Sequence, residues 1–151
     1  MRCFWRKLSL CYFFVGGRKD NEILVWDMRK QELLMILERK VETNQRIYFD
    51  IDPSGKYAMS GDTDGSLTVW DLDKVTDNVV AHYEHLHDDC INGISIHPWL
   101  PMISTCSGQR HINLPSISDD DDEEEHDDHN DNVKDFSLKL WSFKKPENMT
   151  A

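Results

Sequence analysis

Histidines or carboxylates crowd together at three places in this 151-residue chain, and each is a place to look for chemistry. His82, His85, His87 and Asp88 form the first group. Imidazole and carboxylate are metal ligands, but this group lacks cysteine partners at zinc spacing. His126 and His129 sit among aspartates, a composition that holds divalent ions only weakly and without a rigid cage. Asp62-Thr63-Asp64-Gly65 opens like half of a calcium loop. The glutamate that should close such a loop is missing, since its place falls near Lys74, and Asp64-Gly65 reads better as a tight hairpin turn. There is no glycine-rich phosphate loop and no nucleophile elbow. The expectation is a non-enzyme with no metal and no cofactor. Cys3, Cys11, Cys90 and Cys106 are widely and irregularly spaced, with no C-x-x-C pair. They read as reduced, mostly buried thiols, which suits the cytosol or the nucleus.

The charge is unevenly spread. Lys and Arg number 17 against 28 Asp and Glu, a formal net charge of -11, yet ten of the acids lie in one run from Asp119 to Asp131. Without that run 18 acids face 17 bases, so the rest of the chain is nearly neutral. The run itself is expected to be disordered through self-repulsion. Hydrophobic residues make up 39% of the chain and aromatic ones 10%. That is enough for a packed core. No apolar run is as long as the ~18 residues that a membrane-spanning helix needs, so no span is predicted. Arg2, Arg6 and Lys7 before the apolar stretch Leu8 to Val15 loosely imitate a secretory leader, which would make this a secreted β-protein. The downstream half of that stretch fits a strand instead.

Internal repetition supplies the frame. FFVGGRKDNEILVWDM, residues 13 to 28, lies over YAMSGDTDGSLTVWDL, residues 57 to 72, at an offset of 44 without a gap. Gly17 falls on Gly61, Asp20 on Asp64, and Trp26-Asp27 on Trp70-Asp71. A third copy is split: MISTCSGQR at 102 to 110 follows at offset 45, and FSLKLWSF at 136 to 143 at offset 71, leaving an insertion that holds the acidic run. This period, with Trp-Asp closing the unit, matches the WD repeat, which builds a four-stranded propeller blade. Strands are expected at Arg46 to Asp52, Lys56 to Ser60, Ser66 to Trp70 with Leu67 and Val69 inward, and Val79 to Tyr83. In the last blade they fall at Cys90 to Ile96, Met102 to Ser107 and Ser137 to Phe143. Asp52-Pro53-Ser54-Gly55 is a turn.

In such repeats a hydrogen-bond network links a His ahead of the inner strand, a Ser or Thr in the second strand, an Asp in the next turn and the Trp indole, whose buried N–H wants an acceptor. Ser60, Asp64 and Trp70 fit the pattern in the middle blade, but Glu42 holds the His position, so an incomplete network is expected there. His87 and Trp141 fit it in the last blade, where Trp141-Ser142 replaces Trp-Asp. The three tryptophans are read as packing residues, not as platforms for nucleic-acid bases.

Four stretches are more specific than the general repeat: GGRKDNEILVWDMR, TNQRIYFDIDPSGKY, SGDTDGSLTVWD and NGISIHPWLPMISTCSGQR. In this order they closely resemble the C-terminal blades of the telomerase Cajal body protein 1 family. The resemblance covers about residues 12 to 145, and the acidic run matches a variable acidic segment of that family. It implies an all-β fold, a partial WD-repeat propeller of two to three blades with a disordered acidic insertion. It also implies a non-enzymatic scaffold in the nucleus, at Cajal bodies, whose partners are small Cajal-body RNA, telomerase RNA and the telomerase ribonucleoprotein. The alternative is a protein-interaction propeller fragment with no RNA role. Residues 1 to 12 do not continue the repeat, so the chain reads as a truncated copy. The expected organisation is a segment outside the repeat at 1–12, a partial blade at 13–30, a blade at 31–73, a blade at 74–145 interrupted at about 111–135, and a tail at 146–151.

Strand direction then places the cations. In an antiparallel blade the loop before the first strand and the loop between the second and third lie at the same end. Arg18, Lys19 and Arg110 fall in such loops, with Arg39, Lys40 and Arg46 in the entry to the middle blade. Arg18, Lys19, Arg46 and Arg110 are the candidate phosphate contacts, though such cations are often only solvated surface charges. The acidic insertion leaves the same end and is expected to compete with RNA for them.

Overall fold

The computed structural model describes residues 12–76, 78–109 and 135–143. Arg110, the acidic run, the histidines within it, Cys3 and Cys11 lie outside the described residues.

Ten strands form three antiparallel sheets. The first holds β1 (Tyr12–Gly16), β2 (Glu22–Asp27) and β3 (Glu32–Glu38) in that order. The second holds β4 (Phe49–Ile51), β5 (Tyr57–Gly61), β6 (Leu67–Asp71) and β7 (Val79–Tyr83). The third runs β8 (Ile91–Ile96), β9 (Met102–Ser107) and β10 (Leu138–Ser142). There is no helix among the described residues, and the architecture is a partial WD-repeat propeller. Trp26-Asp27 ends β2 and Trp70-Asp71 ends β6, and each is followed by one outer strand of its sheet. β3 completes the sheet begun by β1, and β7 the one begun by β4.

The middle sheet is covered on both faces, and its sequence shows why. On one face Phe49, Ala58 and Trp70 meet Phe14, Ile23, Val25, Met35 and Leu37 of the first sheet. On the other, Met59, Leu67 and Val69 meet Ile91, Ile94 and Ile103 of the third. All five residues of β6 are therefore buried, where alternation alone predicts only Leu67 and Val69. A sandwiched strand needs apolar or satisfied side chains on both faces.

Two expectations about strands need correction. The first strand of the middle sheet is three residues long, not the seven from Arg46 to Asp52. The Tyr48 N–H donates to the Asn92 carbonyl, so the chain before Phe49 is tied to the neighbouring sheet instead of β5. At the other end the Asp52 N–H donates to the Tyr57 carbonyl at 2.9 Å and its Oδ1 accepts the Tyr57 N–H at 2.7 Å, which closes the turn. The ungapped alignment of the first two repeats also fails at β1. Phe13 pairs with Trp26, whereas Ala58 pairs with Trp70, so β1 matches β5 at offset 45 while β2 matches β6 at 44. Gly16, not Gly17, is the counterpart of Gly61, and the β1–β2 turn carries the extra residue. A shift of one residue turns a strand over, and here it sends Phe14 into the core.

Candidate nucleic-acid interface

Hydrogen bonds stitch the loops at one end of the three sheets into a continuous surface. The Arg39 N–H donates to the Asn21 carbonyl, the Val41 N–H to Asn21 Oδ1 and the Lys40 N–H to Asp62 Oδ1. Thr63 returns a bond to the Lys40 carbonyl, and His87 N–H reaches the Gly65 carbonyl. The β1–β2 turn, the entry to β4, the β5–β6 turn and the entry to β8 thus meet. Gly65 has φ +78°, and a Cβ there would lie 2.0 Å from the His87 carbonyl oxygen. Only glycine allows so close a contact in that conformation.

Arg39 belongs to the frame of this surface and not to its exterior. It is 6% exposed. Its guanidinium donates to the carbonyls of Gly17, Asp20 and Ile47 and to Ser60 Oγ, at 3.2 to 3.3 Å. Burial pulls its pKa below the usual arginine value, opposed by Asp20 and Asp62. Ser60 is thereby bonded to an arginine, where the repeat pattern would supply a histidine. Asp64 does not join Ser60 and Trp70: it accepts the Ser66 N–H and pairs at 3.9 Å with Lys40. The buried carboxylate is Asp62, which accepts from Thr68 Oγ1 at 2.9 Å, and Thr68 also contacts His82 Nδ1 at 3.0 Å. Burial raises the Asp62 pKa, against the bonds from Lys40 and Thr68. The Trp70 indole N–H is buried without an acceptor among the described residues.

In the third sheet the four-member network is complete. Trp141 Nε1 donates to Thr105 Oγ1 at 2.8 Å. His87 Nε2 lies 2.7 Å from the same oxygen, and His87 Nδ1 lies 3.1 Å from Asp135 Oδ2. Thr105 accepts from the donor-only indole, and its hydroxyl contact with Nε2 and the Nδ1 contact with Asp135 complete the chain. Ser137 Oγ and the Asp88 N–H also reach this end. The Asp135 carboxyl is held down at about 2, first by the hydrogen bond from Ser137, then by the Asp88 N–H, His87 and the Lys139 charge. Thr105 and Asp135 were not singled out from the sequence. Thr105 could have been found as the counterpart of Ser60; Asp135 is hidden by the acids that precede it.

The remaining site residues fall as follows. Arg18 and Lys19 are exposed in the β1–β2 turn, where Lys19 adopts φ 51°. Arg46 is exposed on the entry to β4, its guanidinium 5.8 Å from the Tyr48 ring centre. Asp27 and Asp71 are buried and hold the turns after β2 and β6, accepting from Arg29 N–H and Asp73 N–H. Trp26 is half-buried and Trp70 fully buried. Cys90 is buried, its thiol pushed up to about 12 by burial and the nearby Asp89, Asp62 and Asp64 carboxylates. Such a thiol is inert as a nucleophile. Among the described residues no group of three or more His, Cys, Asp or Glu is placed to hold a metal ion. His87 of the first histidine group is engaged with Thr105 and Asp135.

No family model matches the chain. Over 72% of its length it is 48% identical to rat telomerase Cajal body protein 1, covering 21% of that protein. The matched stretch belongs to the telomerase Cajal body protein 1 family. The fruit-fly homologue of telomerase Cajal body protein 1 is 44% identical over the same share of the chain. The chain spans about a fifth of the length of these relatives. The structure of U3-55K superposes with a TM-score of 0.51 at 18% identity, covering 66% of this chain and 30% of its own, a likeness of fold alone.

Proposed function

We propose that this part of a telomerase Cajal body protein 1-like propeller is a non-enzymatic scaffold that binds RNA at the end where its loops converge. Its ligands would be small Cajal-body RNA and telomerase RNA, its setting the nucleus and the Cajal body. The relatives' name supports the setting. The observation that carries the RNA reading is the stitching of the β1–β2 turn to the entry of β4. It presents Arg18, Lys19 and Arg46 on loops whose backbones are fixed by Arg39 and Asp62. Cations on a rigid surface can follow a phosphate backbone without the entropic cost of ordering their loops. Arg46 beside Tyr48 adds a flat, cationic surface of the kind on which unpaired bases stack.

The test is anisotropy titration of the whole chain with a Cajal-body RNA and with the same RNA mutated in its recognition element. Specific binding that weakens with salt, and weakens further in Arg18→Glu/Lys19→Glu and in Arg46→Glu, supports the reading. No binding, or equal binding to both RNAs, overturns it and leaves a protein-interaction propeller.

A further inference from the structure

Two turns at the end opposite the stitched loops share a hydrogen-bond plan but not a surface. β4 and β5 are joined by Asp52-Pro53-Ser54-Gly55-Lys56, and β8 and β9 by His97-Pro98-Trp99-Leu100-Pro101. Ile51 pairs with Ala58 and Ile96 with Ile103, so the two turns correspond residue by residue. Asp52 Oδ2 accepts the Ser54 N–H at 3.2 Å. His97 Nδ1 does the same for the Trp99 N–H at 3.1 Å and also accepts from Leu100 at 2.9 Å. The backbone thus asks for an acceptor and then a proline. The next residue is exposed Ser54 in one turn and Trp99, 72% exposed, in the other. The fold has no need of an indole at this place. Pro98, Pro101 and the bonds to His97 fix the turn that carries it, so covering Trp99 costs little ordering entropy.

Trp99 lines an open cavity of about 390 Å³ between the middle and third sheets, together with Met59, Ile96, Met102 and Phe143. Both walls belong to sheets already packed on each other. Asp52 is the one carboxylate among the lining residues, and no lysine or arginine joins it. The two turns offer no free backbone donor here. The N–H groups of Ser54, Gly55, Lys56, Trp99, Leu100 and Met102 are bonded within their turns, and the three prolines have none. An occupant therefore cannot add as a strand. The donors left are on side chains: the Trp99 indole N–H, and Nε2–H of His97, whose Nδ1 accepts two N–H groups and so carries no proton. We propose that this groove binds a proline-rich segment of another protein, in the polyproline II form and carrying an arginine. Such a segment presents carbonyls and few N–H groups, needs side-chain donors instead of a ladder, and packs its rings on aromatic walls. The Asp52 carboxylate, with no cation in the groove, selects a basic residue in that segment and disfavours phosphate.

The test is an NMR titration of the whole nitrogen-labelled chain with the peptide Arg-Pro-Leu-Pro-Pro-Leu-Pro to millimolar concentration. The Trp99 indole signal is assigned by its loss in Trp99→Ala, and circular dichroism checks that this variant keeps its strands. In wild type that signal is expected to shift saturably. Trp99→Ala should bind about tenfold more weakly or worse, as for a central aromatic anchor. Trp99→Phe, which keeps a ring and loses the donor, should fall between. The same peptide with glutamate in place of arginine should bind more weakly, by a margin that shrinks as salt rises. No saturable shift overturns the proposal, and so does wild-type affinity in Trp99→Ala or equal affinity for the two peptides. A Cajal-body RNA that shifts the same indole signal also overturns it, since the groove would then be a nucleic-acid face.

Discussion

Ser60 and Thr105 stand at the same place in the repeat, yet the structure gives them different work. Replacing Thr105 with Val keeps the shape and removes the hydroxyl. It strands the Trp141 indole N–H, 2.8 Å from that oxygen, and Nε2 of the fully buried His87, 2.7 Å from it. Each buried polar group left without a partner costs about 1–3 kcal/mol, so Thr105→Val is expected to destabilise by roughly 2–6 kcal/mol. Ser60→Ala removes one of four bonds to Arg39 and leaves three carbonyls in place. Its expected cost is about 1–2 kcal/mol, since Arg39 remains largely satisfied. Trp70, with no acceptor to lose, is untouched by it. Urea denaturation followed by tryptophan fluorescence measures both, with the slope checked for constancy. Equal losses would refute the assignment of different networks to the two sheets.

Four further outcomes follow from the same geometry. The Asp135 carboxyl sits below the usual carboxylate range, so it stabilises the fold above about pH 4, and that contribution fades as pH falls towards about 2. Stability profiles of wild type and Asp135→Asn should be separated at neutral pH and converge in acid; parallel profiles would contradict this. Trp70→Phe should cost less than Trp141→Phe relative to the area each buries, because only Trp141 loses a hydrogen bond; the comparison is by urea midpoint. Gly65→Ala should destabilise by on the order of 2–4 kcal/mol through its positive φ and the His87 carbonyl, while Gly17→Ala is mild; thermal melts compare them. Deleting residues 116 to 132, which spares Asp135, should tighten RNA binding at low salt, with the gain fading as salt rises; unchanged affinity at low salt would refute competition by the acidic run.

Much of the fold was legible because the strands carry a period and the turns carry glycine, proline and aspartate. Val79–Tyr83 and Met102–Ser107 fall where composition puts them. What was hidden depends on the third dimension. The extra residue in the β1–β2 turn leaves no gap in the aligned letters, because Gly16-Gly17 offers two glycines for one position. Arg39 looks like any surface cation until its four acceptors are seen. Asp62 and Asp64 are equivalent in composition, and only the Lys40 N–H and Thr68 choose between them. The candidate interface was legible as loops and charges, but its rigidity came from backbone carbonyls that no letter encodes.

Amide exchange of the chain with and without a Cajal-body RNA bears most directly on the claim that the stitched loop end is the binding face. Protection is expected in the turns at 17–21 and 62–65 and in the entry at 39–48, with none in the turns at 52–56 and 97–101 at the opposite end. Protection confined to the opposite end, or none anywhere at saturating RNA, would contradict it.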